Sequence, residues 1–289
     1  MSGHALTGMS LRDTLGTVRH ELASAGIPPE EAASEGWILL DLVCGIKRED
    51  YYMNQDASVP QEKLKALFGI VDRRKERIPL QYLTGCAWFM GFPFYVDERV
   101  LIPRQDTECL VEEALAFLQD ESRPRILDLC TGSGCIGIAL KKLFPAAEVT
   151  LLDLSADALE VAAVNAGRLD AEVEIVQGDL FEGLNGRFDY ILSNPPYIPT
   201  AVIETLMPEV KDHEPRTALD GEADGLFFYR RIVREAGAYL SGGGWLLFEI
   251  GADQGAALAA LFEAEGYRQI QIKKDLSGLD RVALARKES

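Results

Sequence analysis

Asn194-Pro195-Pro196-Tyr197 carries the most specific chemistry in this 289-residue sequence. Two consecutive prolines stiffen the backbone and remove two amide donors. The Pro195 carbonyl is left to accept a hydrogen bond, and the Asn194 side-chain oxygen is a second acceptor beside it. Two acceptors at a fixed separation suit a planar NH2 group, which has two donors. Tyr197 adds a face for stacking a flat group, and its electron-rich ring favours a nearby cation. An amide nitrogen is a poor nucleophile, because its lone pair is delocalised into the carbonyl. Hydrogen bonds to both N–H groups oppose that delocalisation as positive charge builds on nitrogen, which stabilises a transition state. Holding the nitrogen in line with an electrophilic carbon supplies the rest by positioning. No titrating side chain is needed before transfer. The plainer reading is a proline-rich turn after a strand.

A second loop lies upstream. In Asp128-Leu129-Cys130-Thr131-Gly132-Ser133-Gly134-Cys135-Ile136-Gly137 the glycines match G-x-G-x-x-G, which alone is a weak signal. Glycines let the backbone approach a ligand, and the free amides of a helix start receive an anion. That anion is either a dinucleotide pyrophosphate or the carboxylate of S-adenosylmethionine (SAM). Asp153, 21 residues beyond Gly132, is placed to accept from both hydroxyls of a ribose, which both ligands carry. Asp179 is a candidate for an adenine amine, with Leu180 covering the ring. A turn-capping carboxylate is the equal alternative for Asp179.

These loops need strands that end at one edge. The periodicity predicts strands at 125–129, 148–152, 173–177, 188–193, 245–249, 267–273 and 281–286. Helices are predicted at 135–143, 156–169, 225–240 and 254–265. Such alternation specifies an α/β fold with a mostly parallel, Rossmann-like sheet that binds ligands beyond the carboxyl ends of its strands. Residues 10–77 are instead helical throughout, with Leu11, Leu15, Val18 and Leu22 on one face. Trp37, Leu40, Val43 and Cys44 mark a second helix, and Leu64, Leu67, Phe68 and Val71 a third. The aromatic run 88–96 reads as a hairpin. The expected organisation is a helical bundle over 1–78, a linker with a β-hairpin over 79–105, and an α/β domain over 106–289. The basic run Arg73-Arg74-Lys75-x-Arg77 is read as a solvated face.

Composition narrows the function. Net charge is −17, with 10 Lys+Arg against 12 Asp+Glu in residues 1–85 and 19 against 34 in the remainder. So acidic a domain is a poor binder of a phosphate backbone and favours a basic partner surface. Five cysteines without a Cys-x-x-Cys pair, and three scattered histidines (His4, His20, His213), argue against a disulfide framework and against a metal site. No apolar run is long enough to span a membrane, and Met1–Ser10 lacks a basic-then-apolar leader. The expectation is a reduced, cytoplasmic setting.

At these residues the sequence resembles the PrmC/HemK family of release-factor glutamine methyltransferases, over nearly the whole chain. The likeness extends to Pro79–Gly85 and to Leu101–Glu108, which resembles the family's IPRP(E/D)TE segment. It continues at Glu214-Pro215, Asp224-Gly225-Leu226, Glu249-Ile250-Gly251 and Asp275–Arg281. The resemblance implies a SAM-dependent methyltransferase acting on the glutamine of the Gly-Gly-Gln motif in class-1 peptide chain release factors. Asn194, Pro195 and Tyr197 would be catalytic, and with Pro196 they would bind the substrate. Cys130, Thr131, Gly132, Ser133, Gly134, Asp153, Asp179, Leu180 and Asn194 would hold SAM. The N-terminal helices would help dock the release factor. A monomer without direct nucleic-acid or membrane contact is expected. Three positions depart from the family pattern: Gln105 replaces a common proline, Cys130 a common glycine, and Leu180 an aromatic residue found in some members. Arg104 and Glu108 are read as either shaping the pocket or linking domains. The competing readings are an adenine-amine DNA methyltransferase, which would flip out its base, a nicotinamide dehydrogenase, and a non-catalytic docking module on the same fold.

Overall fold

The computed structural model describes residues 8–118 and 122–288. His4 lies outside the described residues. The chain divides into two compact units, Met1–Thr84 and Gly85–Ser289, so the expected 79–105 segment is split between them.

The first unit is helical. It comprises α1 (Leu11–Ser24), α2 (Pro29–Cys44), α3 (Arg48–Asn54), α4 (Gln61–Lys75) and α5 (Leu80–Thr84). Ser10 caps α1 by accepting from the Asp13 amide at 3.1 Å, and Gly45, at φ 67°, ends α2 in the left-handed conformation that favours glycine. Leu11, Leu15, Val18 and Leu22 enter one core with Leu39, Leu40, Leu64 and Leu67. The short helices α3 and α5 carry too few periodic apolar positions to be read from sequence. The basic run is not a solvated face. Arg74 is 3% exposed, and its guanidinium meets the Glu35 carboxylate at 2.9–3.1 Å. Lys75 pairs with Glu21, and Arg77 Nη1 donates to Gly26 O at 2.8 Å. A planar guanidinium matched to a carboxylate can be buried where an unpaired charge cannot, so this run ties α4 to α1 and α2.

The second unit opens with a hairpin, β1 (Ala87–Phe89) and β2 (Phe92–Phe94). Its turn residues Met90 and Gly91 both have positive φ, 50° and 78°, as a tight two-residue hairpin requires. Phe89 and Phe94 are fully buried in the unit's core, while Trp88 faces outward at 68% exposure. Next come α6 (Glu108–Leu118), β3 (Arg125–Leu129), α7 (Cys135–Leu143), β4 (Glu148–Asp153), α8 (Ala156–Arg168), β5 (Glu174–Gln177) and β6 (Phe188–Ser193). The short α9 (Thr200–Ile203) and α10 (Pro208–Lys211) precede α11 (Phe227–Tyr239), β7 (Leu240–Glu249), α12 (Gly255–Ala264), β8 (Arg268–Lys274) and β9 (Asp280–Arg286). Seven strands form one sheet in the order β5-β4-β3-β6-β7-β9-β8. The pairs from β5 through β7 are parallel, and β9 pairs antiparallel with both β7 and β8. One apolar core lies on each face, as a sheet covered on both sides demands. This is the expected Rossmann-like architecture. No helix among the described residues is long and apolar enough to cross a membrane.

Candidate active site

The strand order reverses between β3 and β6, and that is where an open α/β sheet forms a crevice. The glycine loop follows β3 and the Asn-Pro-Pro-Tyr loop follows β6. Leu129 pairs with Ser193, and Ser193 Oγ donates to Leu129 O at 2.6 Å. The two loops therefore leave the sheet side by side. A cavity of about 390 Å³ opens there. Thr131, Gly132, Asp153, Asp179, Leu180 and Asn194 are among its lining residues. Cys130, Ser133 and Pro196 also line it, whereas Gly134, Pro195 and Tyr197 are not among its lining residues.

The three loop glycines serve different needs. Gly132 has φ 55° and open space where a Cβ would project, so its backbone presents a bare surface to the cavity. Gly134 has φ 81°, and an added Cβ would press on Ile138 at 2.7 Å. Gly137 packs α7 onto the sheet, where a Cβ would overlap Leu151. No side chain caps α7, and Cys135 and Ile136 of its first turn line the cavity. An uncapped helix start beside a bare glycine surface fits an anionic group. Cys130 shows how a side chain is tolerated where the family has glycine. It adopts φ 61°, the left-handed region, with its side chain in the cavity wall. Leu180 likewise has φ 55° and is 4% exposed. Burial pushes the Cys130 thiol far above its ordinary range, so it is no nucleophile.

Asp153 does more than line the cavity. Its Oδ2 accepts from Gly132 N at 2.8 Å and its Oδ1 from Ser155 N at 3.0 Å. It thus ties the glycine loop to the end of β4. Burial raises its carboxyl above the usual range, with backbone donors opposing. Asp179 is more exposed, and Arg231 holds its carboxylate with two bonds of 3.1 Å.

Asp128, read only as the start of the loop, is its buried anchor. Oδ2 accepts from Thr131 Oγ1 at 2.6 Å and from Gly137 N at 2.8 Å, while Oδ1 has no partner. Burial pushes its carboxyl up to about 7 from an unfolded value near 3.8, against the lowering by Thr131 and Gly137. The folded chain keeps this proton where the unfolded chain releases it. Stability is therefore fully present below about pH 4 and falls as pH rises through about 7. Asp128→Asn removes that titration. Urea midpoints from pH 4.5 to 8 should show a flatter decline in the variant, by up to the order of 4 kcal/mol across the window. Parallel profiles would refute the buried proton.

The Asn-Pro-Pro-Tyr loop is braced from behind. Pro195 and Pro196 are buried, and Asn194 and Tyr197 are half-buried. Asn194 Nδ2 donates to Thr107 Oγ1 at 3.4 Å. Among the described residues nothing donates to Asn194 Oδ1 or to the Pro195 carbonyl. Tyr197 Oη donates to Glu249 Oε1 at 3.2 Å. Gln254 Nε2 donates to Tyr197 O at 3.1 Å and to Gly225 O at 3.2 Å. Ile198 exchanges backbone bonds with Leu219 and Gly221 at 3.0 and 2.9 Å. Sequence reasoning missed Thr107, Gly221, Glu249 and Gln254 as site residues. Glu249 carried a signal, being a carboxylate at the end of the apolar strand segment Leu246-Leu247-Phe248.

Arg104 and Glu108 both act within this unit. Arg104 lines the cavity and pairs with Glu214, whose side chain is 1% exposed and whose carboxyl is raised by burial against the pull of Arg104. Glu108 Oε1 accepts from Met90 N at 2.6 Å and so holds the hairpin turn. Gln105 opens a short turn and is exposed. Among the described residues no group of three or more His, Cys, Asp or Glu is placed to hold a metal.

The chain is similar to known proteins. Residues 13–85 match the PrmC N-terminal domain family and residues 107–208 the methyltransferase small domain family. A release factor glutamine methyltransferase of Geobacter sulfurreducens is 44% identical over 94% of this chain and 95% of its own length. Another, of Deinococcus radiodurans, is 39% identical over 96% of this chain and 99% of its own. Among solved structures, a T. thermophilus 16S rRNA N2 G1207 methyltransferase in complex with AdoMet and guanosine superposes with a TM-score of 0.53. It is 20% identical and covers 70% of this chain and 50% of its own, a likeness of fold alone. Identity near 40% sustained across both units, with the glycine loop and the Asn-Pro-Pro-Tyr loop in place, shows that the chain belongs to the release factor glutamine methyltransferase family.

Proposed function

We propose that this protein transfers a methyl group from SAM to the side-chain amide nitrogen of the glutamine in the Gly-Gly-Gln motif of class-1 peptide chain release factors. The observation that carries the reading is the pair of unengaged acceptors, Asn194 Oδ1 and the Pro195 carbonyl, beside a cavity floored by the glycine loop. Full-length relatives of that name support the substrate.

The residues present fit the cofactor. The bare Gly132 surface and the uncapped start of α7 suit a carboxylate, and Thr131, Ser133, Gly134 and Cys130 complete that turn. Asp153 keeps lone pairs for ribose hydroxyls beyond its two backbone bonds. Asp179 and Leu180 are placed for the adenine, with Arg231 competing for the Asp179 carboxylate. SAM supplies an electrophilic methyl on a sulfonium. Asn194 and Pro195 accept from the two N–H groups of the glutamine amide, which restores nucleophilic character to nitrogen as charge develops. Pro195 and Pro196 contribute by lacking amides that would compete for those acceptors. Tyr197, held by Glu249 and Gln254, sets the path of the loop from behind. The N-terminal helices take part in docking the release factor. A monomer in the cytoplasm goes with that partner, and the free thiols suit a reducing compartment.

The test is methyl transfer from labelled SAM to purified class-1 release factor. A glutamine-to-alanine variant of its Gly-Gly-Gln motif and adenine-containing DNA run in parallel. Label on the wild-type factor alone is expected. Label on DNA would reassign the substrate to an adenine amine, and SAM binding without transfer to any of them would leave a docking protein.

A further inference from the structure

Among the described residues, the charged side chains that line the cavity are Asp153, Asp179, Arg99 and Arg104. They are not equally committed. Asp153 and Asp179 are acceptors, suited to hydroxyl and amine donors and repulsive to an anion. Arg99 is fully engaged within the protein. Its Nε and Nη2 donate to the two oxygens of Asp97 at 2.9 and 2.7 Å, and its Nη1 donates to Glu160 Oε2 at 2.8 Å. Every nitrogen of that guanidinium meets a carboxylate.

Arg104 differs. Its Nη2 donates to Glu214 Oε1, and among the described residues its Nε and Nη1 donate to nothing. The side chain is 38% exposed and lines the cavity, so donors remain for a ligand there. Glu214 holds it from a side chain that is 1% exposed, and the other Glu214 oxygen accepts from Ile102 N at 3.3 Å. A buried carboxylate on one edge of a planar guanidinium limits its rotation and leaves the remaining donors free. Its place in the chain matters as well. Thr107 N donates to Arg104 O at 3.1 Å, and Thr107 Oγ1 accepts from Asn194 Nδ2 at 3.4 Å. Arg104 is thus one tight turn from the residue that touches Asn194.

Asp153 and Asp179 suit the adenosyl part of SAM, while Asn194 suits the group that receives the methyl. The methionyl part belongs beside Asn194, and it carries the only anion of the cofactor. The uncapped start of α7 offers that carboxylate its amides and about half a unit of positive charge. A full unit is needed to match it. Arg104 is the cation lining the cavity that still has donors to supply the difference.

We propose that Arg104 is a cofactor-binding residue whose guanidinium, held by Glu214, meets the carboxylate of SAM. This rests on the proposed use of SAM, not on the identity of the methyl acceptor. Glu214 is the positioning residue of the pair.

The test compares two ligands that differ in that group alone. S-adenosylhomocysteine carries the carboxylate. Its decarboxylated analogue keeps the adenosine, the sulfur and the ammonium. Both would be titrated by calorimetry into the full chain, wild type and variants. Arg104→Met alone would leave the buried Glu214 charge unpaired, so it is combined with Glu214→Gln. The double variant should bind S-adenosylhomocysteine about 10–100-fold more weakly, the scale for losing a charge-assisted hydrogen bond. Its affinity for the decarboxylated analogue should barely move. Arg104→Lys keeps a charge beside Glu214 but loses the planar fork. It should weaken S-adenosylhomocysteine to a smaller degree and leave the analogue unchanged. Equal losses for both ligands in the double variant would make Arg104 a wall residue only and overturn the proposal. Undiminished S-adenosylhomocysteine binding in a folded double variant would overturn it too. Should the double variant not fold, Arg104→Lys decides: a loss selective for the carboxylate ligand supports the inference, and a wild-type ratio of the two affinities refutes it. A selective loss in a protein that labels no release factor supports the inference and sinks only the substrate reading. No binding of S-adenosylhomocysteine by the wild type would overturn the cofactor and this inference together.

Discussion

Asn194→Ala is expected to cut kcat by roughly 10²–10³-fold, the cost of losing one preorganised bond to developing charge. SAM affinity should change little. Asn194 contacts the cavity, but the glycine loop and Asp153 that fit the cofactor lie on the neighbouring strand ends. Alanine keeps the backbone that precedes Pro195 and removes only the side-chain acceptor. The Pro195 carbonyl remains, so a residual rate above background should survive. The fold should also survive, because the side chain is half-buried and its single bond, to Thr107, is long at 3.4 Å. Steady-state kinetics on release factor, paired with SAM calorimetry, measure both effects. Near-normal turnover would remove Asn194 from the transition state. An equal fall in SAM affinity would make it a cofactor ligand instead.

Much of this site was legible because its loops carry their own punctuation. β3, α7 and β6 begin and end where the sequence places them, since glycines or paired prolines interrupt the apolar pattern at those points. β7 was only half legible. Its first residues, Leu240-Ser241-Gly242-Gly243-Gly244, have weak strand propensity, and pairing of Leu240 with Phe188 draws them into the sheet. The braces behind the site were harder still. Ser193 pairs with Phe248, and that register alone brings Glu249 level with Asn194, 55 residues away in sequence. No local pattern announces such a neighbour. Arg74 was misread for the same reason: a basic run looks solvated until Glu35, 39 residues away, is seen to meet it. Asp128 sat in plain view in the glycine loop, but its unpartnered Oδ1 is a fact of packing, not of sequence.

The braces make a second large effect predictable at a residue that touches no substrate. Gly225 has φ 72°, and an added Cβ would overlap Tyr197 O and come within 2.8 Å of Gln254 Nε2. Gly225→Ala therefore meets two penalties. The left-handed backbone costs an L residue about 1–2 kcal/mol, and overpacking against backbone adds about 1–3 kcal/mol. A net stability of roughly 5–15 kcal/mol absorbs that sum, so the variant should fold. The strain cannot be relieved by a flexible side chain, because the blocking atom is the carbonyl of Tyr197, which two prolines hold in line with Asn194. The loop must shift instead, and a displacement near 1 Å in a positioning element is enough to cost about 10²-fold in rate. The expected result is a kcat loss of that order with SAM affinity retained. Gly266→Ala is the control. Gly266 has φ 78° with nothing within 4 Å of the added Cβ, so it carries the backbone penalty alone. If Gly225→Ala and Gly266→Ala lose stability yet turn over at the same rate, the Tyr197 backbone yields without moving Asn194, and the brace is structural only. If only Gly225→Ala loses kcat, the close packing of residues 221–225 on the catalytic loop belongs to the catalytic geometry.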